Sequence, residues 1–161
     1  MKKFIIPAII LIMLNACSER RPENIKQTKE TENMEKQDKQ QIEVLLAEYK
    51  NSLNISDAAK AQSLYAKDGV FMPTGAPSAI GSEDILKSYK FIFSQIQLNI
   101  EFYIDEIMIN GDFAFATTSS KGTTLIHANG QTVPEENREL FVFEKIEGAW
   151  KIARYMFNKT K

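Results

Sequence analysis

Apolar positions recur at helical spacing soon after residue 40. Ile42, Leu45, Leu46, Tyr49 and Leu53 fall on one face of a helix. Asn54-Ile55-Ser56-Asp57 interrupts that pattern and supplies an N-cap for a second helix, whose apolar side is Ala58, Ala61, Leu64 and Tyr65. Gly69 ends it, and Val70-Phe71-Met72 reads as a short strand stopped by Pro73. After a loop from Thr74 to Gly81, Ser82 is placed to cap a third helix. Glu83 and Asp84 suit its first turn, and Ile85, Leu86, Tyr89, Ile92 and Phe93 form its apolar side.

The period then changes. Leu98–Ile109, Phe113–Thr124, Glu139–Lys145 and Trp150–Phe157 read as strands, and Asn110-Gly111-Asp112, Asn129-Gly130 and Glu147-Gly148 as the turns between them. Helices followed by a run of antiparallel strands predict an α+β domain over residues 40–161, with the helices packed on one face of a curved sheet.

Residues before 40 follow a different pattern. Lys2 and Lys3 precede an apolar run from Phe4 to Leu14, broken only by Pro7. That run is shorter than the roughly 20 residues of a membrane-spanning helix and has the length of a signal-peptide core. It ends in Leu14-Asn15-Ala16-Cys17, which resembles the lipobox of bacterial lipoproteins. The resemblance implies a signal peptide over residues 1–16, cleavage after Ala16, and lipid on the Cys17 thiol and the new amino terminus. The protein would then be lipid-anchored in a bacterial cell envelope, with Ser18 after the cysteine pointing to the outer membrane of a two-membrane cell. Residues 18–39 carry six acidic and six basic groups, with Ile25 and Met34 the only sizeable apolar residues. With so little to bury, residues 17–39 read as a lipidated cysteine and a charged flexible tether spanning roughly 25 Å, with a transient helix in its second half, running into the first domain helix, as the alternative.

Charge and cysteine usage narrow the functions. The net charge is −1, and loss of residues 1–16 leaves 18 basic against 21 acidic groups. An acidic balance without a basic stripe does not suit nucleic acid. The single cysteine allows no internal disulfide, and with one histidine no metal site is expected. The chain has no G-x-G-x-x-G motif and no phosphate-binding loop, so no cofactor is expected.

Several stretches carry a resemblance. They are Leu64-Tyr65-Ala66-Lys67-Asp68-Gly69-Val70-Phe71-Met72-Pro73, Gly81-Ser82-Glu83-Asp84-Ile85, Val133 to Leu140, Phe141 to Lys145, and Trp150 to Arg154. Together they resemble the nuclear transport factor 2-like superfamily, also called SnoaL-like or ketosteroid-isomerase-like, and its SgcJ/EcaC-type branch. The resemblance implies a cone-shaped (cystatin-like) roll enclosing a cavity, and a homodimer through the outer sheet face. In isomerase relatives a helix-one tyrosine and a late-strand acid form an oxyanion hole. Those positions fall on Tyr49 and Glu139, whereas the position of the catalytic base falls near Pro73, which cannot take a proton.

The residues themselves give candidates for a pocket. Tyr49 and Tyr89 lie on buried helix faces, Met72 ends the first strand, and Glu139 alternates with Phe141 and Phe143. A carboxyl among such residues would resist ionisation. On the last strand Trp150, Ile152, Arg154, Met156 and Asn158 share one parity, so an inward Arg154 would neutralise Glu139. His127 falls at a hairpin end, and Ser119-Ser120 lacks the context of a hydrolase nucleophile. Three readings stay open: a module binding a small, partly apolar ligand; an isomerase- or lyase-type enzyme with Tyr49 and Glu139 as acid groups; and a structural or protein-interaction dimer.

Overall fold

The computed structural model describes residues 22–160, so the expected signal peptide and Cys17 lie outside the described residues. Helix α1 (Pro22–Asn54) and helix α2 (Ala58–Ser63) come first. They are followed by strand β1 (Tyr65–Met72), strand β2 (Ala79–Ile80) and helix α3 (Gly81–Gln95). Four long strands complete the domain: β3 (Ile96–Asn110), β4 (Phe113–Ile126), β5 (Gln131–Ile146) and β6 (Ala149–Lys159). They form one six-stranded sheet in the order β2-β1-β6-β5-β4-β3. Every pairing is antiparallel except β1 with β6, which is parallel.

The three turns expected from sequence sit at the three hairpin ends. At the last of them Glu147 and Gly148 both have positive φ, 50° and 80°, the backbone of a two-residue hairpin turn. Asp57 caps α2, its carboxylate accepting from the Lys60 amide at 2.8 Å. Two boundaries depart from the sequence reading. Tyr65 belongs to β1 and not to α2, and α3 begins at Gly81 with Ile80 as its cap residue, so Ser82 is no cap.

Helix α1 goes further than the transient helix allowed for the second half of the tether. The segment read as a flexible tether is helical from Pro22 and continues into the domain without a break. Burial was the wrong criterion there. Lys, Glu and Gln are good helix formers, and Glu32–Lys36 and Glu35–Lys39 stand at the favourable i, i+4 spacing. The helix is also anchored, because the Asp38 carboxylate accepts from Lys145 Nζ at 2.6 Å and from Trp150 Nε1 at 3.1 Å on the β5–β6 hairpin.

The sheet curls around the helices, with Tyr49, Ile85, Phe141, Phe143 and Ile152 among its most buried residues. The curl needs Gly122 on β4, because a Cβ there would lie 2.0 Å from the Asn99 carbonyl oxygen of β3. All residues of the core cluster lie between Ile42 and Phe157. This segment therefore holds a hydrophobic core of its own.

Candidate functional site

The inner faces of the strands and the helices enclose a cavity of about 410 Å³. Its apolar wall comes from Leu53 of α1, Ile92 of α3, Ile96, Leu98 and Ile100 of β3, and Phe71 of β1. Tyr49, Tyr89 and Tyr155 face it, and Phe71, Tyr89, Tyr155 and Phe157 stack in a row with ring centroids 4.9–5.8 Å apart. The rim is formed by Thr74, Ala76, Phe91, Val133 and Lys159.

One polar group of the site is made of tyrosines. The Tyr49 hydroxyl bonds that of Tyr89, which lies 2.8 Å from the Tyr65 hydroxyl, and Tyr65 is 3.4 Å from Tyr49. Burial pushes all three phenols upward, together with Tyr155, so they stay neutral.

The other polar group comes from β4, β5 and β6. Alternation along β5 turns Glu135, Asn137 and Glu139 inward; Asn137 and Glu139 lie opposite Ser120 and Thr118 of β4, and Thr124 reaches Glu135 diagonally. Thr118 donates to Glu139 Oε2. Burial raises the Glu139 carboxyl, outweighing the bonds from Ser120 and Thr118, and Asp105 and Glu135 add to the rise. Glu135 moves the other way. Burial would raise it, but Lys159 Nζ at 3.0 Å, Thr124 Oγ1 at 2.8 Å and Asn137 Nδ2 at 3.0 Å together hold it below the usual range. Asn137 Nδ2 also donates to Ser120 Oγ at 3.1 Å.

The residues singled out from sequence separate into three groups. Tyr49, Tyr89 and Glu139 line the cavity. Phe141 and Phe143 are fully buried behind that wall, Phe141 stacking on Tyr155 at 4.3 Å. Met72, Arg154 and Asn158 are corrections: none lines the cavity. A bulge lies between the pairs Phe143↔Ile152 and Val142↔Arg154, inserting Ala153 and reversing the parity of β6. Beyond it Tyr155, Phe157 and Lys159 face inward, while Arg154 donates to backbone carbonyls, including that of Ala153 at 2.6 Å. Met72 sits opposite Met156 on the outer parity of β1, and Phe71 faces the cavity in its place. Arg154 therefore does not neutralise Glu139. Pro73, at the expected base position, lines the cavity wall. His127 is exposed beside the β4–β5 turn, where its Nδ1 lies 3.1 Å from the Ser94 carbonyl.

The sequence reading missed Tyr155, Glu135, Asn137, Ser120, Thr124 and Lys159. Glu135 and Asn137 share the parity of Glu139, so extending the alternation back as far as Pro134 would have found them. Tyr155 and Lys159 were hidden by the bulge.

A curled sheet closed by three helices around a cavity narrows the possible families, and the sequence profile that matches residues 42–157 is that of the SnoaL-like domain. The chain belongs to the SnoaL-like family. A ketosteroid isomerase-like protein from Erwinia carotovora atroseptica superposes on the SnoaL-like domain with a TM-score of 0.72 at 30% identity, over 74% of this chain and 94% of that one. A nuclear transport factor 2-like superfamily protein from Salmonella enterica gives 0.68 at 22% identity, over 76% and 91%. A protein with a cystatin-like fold from Novosphingobium aromaticivorans gives 0.65 at 16%, over 89% and 92%; these last two likenesses speak to the fold alone. No curated protein matches the chain.

Proposed function

We propose that this SnoaL-like domain binds a small, partly apolar molecule in its cone-shaped cavity and is carried on a membrane by lipid on Cys17. The observation that carries the binding reading is the cavity itself. Its volume of about 410 Å³ lies within the usual range for small-molecule sites, and a mostly apolar wall with a few converging polar groups is what such sites use. A purely structural domain would fill this space with side chains. Pro73 in the base position favours binding over isomerisation.

Native mass spectrometry of the chain from residue 22 onward, purified from cells without denaturation, tests the reading. A retained small-molecule mass is expected. A ligand-free spectrum that no library of apolar compounds changes would count against it.

One observation favours a second reading, an isomerase- or lyase-type enzyme. Tyr49 and Glu139 line the same cavity, and burial disfavours the ionised form of both, as acid groups require. On that reading Tyr49→Phe lowers kcat with little change in KM.

The anchor and the cavity fit together in orientation. α1 runs from the β3–β4 and β5–β6 hairpin ends toward the cavity rim, with Thr31 and Asp38 beside Gly111 and Lys145 and Leu53 on the cavity wall. The ten residues from Thr31 back to Pro22 extend about 14 Å as helix. A lipid at Cys17 would therefore hold the cavity mouth on the side away from the bilayer. Metabolic labelling with a palmitate analogue checks the anchor: the label should be lost in Cys17→Ser. Homodimerisation through the outer sheet face, where Tyr103, Met108 and Met156 are exposed, belongs to the same proposal. Sedimentation at increasing concentration checks it.

A further inference from the structure

The hydrogen bonds of the carboxyl-amide cluster restrict which molecules the cavity can accept. Among the described residues, Asn137 Oδ1 is the one buried side-chain polar atom without a partner. The amide orientation is set by its neighbour: Glu135 is a carboxylate held by Lys159 and Thr124, an acceptor only, so Asn137 must turn its Nδ2 toward Glu135 Oε1. The second Nδ2 hydrogen goes to Ser120 Oγ. The oxygen is left over, on a residue that is 6% exposed and lines the cavity. A buried acceptor in this state is a deficit that a donor brought by the ligand removes.

The charges around it argue against ions. Lys159 is already spent on Glu135, so an anion entering the cavity meets two carboxyl side chains and no spare buried cation. An ammonium gains little from Glu135, whose charge Lys159 already neutralises, and gives up its hydration to a mostly apolar wall. The row of stacked rings from Tyr89 through Phe71 and Tyr155 to Phe157 gives the cavity a rigid aromatic wall that suits an apolar, ring-shaped body.

Resting on the binding reading above, we propose that the ligand is an uncharged molecule with a planar or alicyclic apolar body and a hydroxyl or N–H group that donates to Asn137 Oδ1. A hydroxyl suits the site because its one O–H supplies the donor that Asn137 Oδ1 lacks. The site then selects for the donor: an analogue of the same shape without one leaves the asparagine oxygen unsatisfied.

Titration calorimetry on the chain from residue 22 onward tests this with three probes of one skeleton: 2-naphthol, 2-methoxynaphthalene and 2-naphthoate. The naphthol should bind about tenfold more tightly than the ether, the equivalent of one hydrogen bond, and the carboxylate should bind more weakly than either. In Asn137→Leu the preference for naphthol over ether should vanish while both still bind. Equal affinity of naphthol and ether for the unaltered protein overturns the donor assignment and leaves the binding reading standing. Tightest binding of naphthoate overturns the charge argument. Binding of none of the three overturns both this proposal and the binding reading.

Discussion

On one side of the cavity, Tyr49, Tyr65 and Tyr89 take their hydroxyls out of water and satisfy them on one another. On another, Glu135, Asn137 and Glu139 take equally polar groups out of water, yet the set does not close. One carboxyl is held low by Lys159 and its other donors, one is raised by burial, and an amide oxygen has no partner. The tyrosine cluster is neutral and complete, and its Tyr49 ring packs edge-on against Phe141 and Tyr155. The carboxyl-amide cluster carries an unmet acceptor and two carboxyls displaced in opposite directions. A buried polar network that satisfies itself contributes to the fold, whereas one that leaves a group unmet in a cavity wall is where a ligand has something to offer.

If this contrast is right, substitutions on the two sides behave differently. The largest effect belongs to Tyr49→Ala, which removes a fully buried ring and should cost about 3–5 kcal/mol in urea unfolding. A loss below about 1 kcal/mol would show that the tyrosine side is not structural. Tyr49→Phe keeps the ring and leaves two hydroxyls short of a partner. It should cost about 1–2 kcal/mol and leave ligand affinity unchanged, as chemical unfolding and calorimetry on one sample would show.

Glu139→Gln sharpens the contrast through pH. The folded state holds the Glu139 proton more tightly than the unfolded chain does. Stability therefore falls as pH rises from the ordinary glutamate value through the raised one, and the fall is complete above it. The Gln variant should lack that fall, and its melting temperature relative to wild type should rise across the window. Glu135 has the opposite sign: its contribution is present above the ordinary value and is lost as pH falls through its lowered one. A Gln variant at Glu135 should therefore be less stable than wild type at neutral pH, and the deficit should shrink in acid. The smallest effect is expected for Arg154→Ala, on the outer face, within about 0.5 kcal/mol and with no change in ligand affinity. A clear loss of affinity there would restore the inward arginine that strand alternation alone suggested.

How far the sequence could be read follows from what each residue had to face. The helices and hairpin turns were legible because apolar spacing and glycine placement are local signals. β5 was found only from Glu139 onward, although it begins at Gln131. Its first half, Thr132-Val133-Pro134-Glu135-Glu136-Asn137, is polar on both faces because the inward side lines a cavity and not a dry core. Pro134 is tolerated because it precedes Asn137↔Lys159, the first β5–β6 pair, where no ladder bond to β6 is at stake. The site was half legible for a related reason. Tyr49, Tyr89 and Glu139 follow from periodicity, but one bulge residue, Ala153, moves Arg154 and Asn158 outward and Tyr155 and Lys159 inward. Nothing in the run Trp150-Lys151-Ile152-Ala153-Arg154-Tyr155 marks Ala153 as the extra residue.

The most direct test of the central claim, that the carboxyl-amide side of the cavity is the binding surface, is a backbone-amide NMR titration of the chain from residue 22 with 2-naphthol. Shifts should concentrate at Ser120, Glu135, Asn137, Glu139 and Tyr155. Shifts confined to the outer face, around Met72, Arg154 and Asn158, or no shifts at saturating probe, would contradict it.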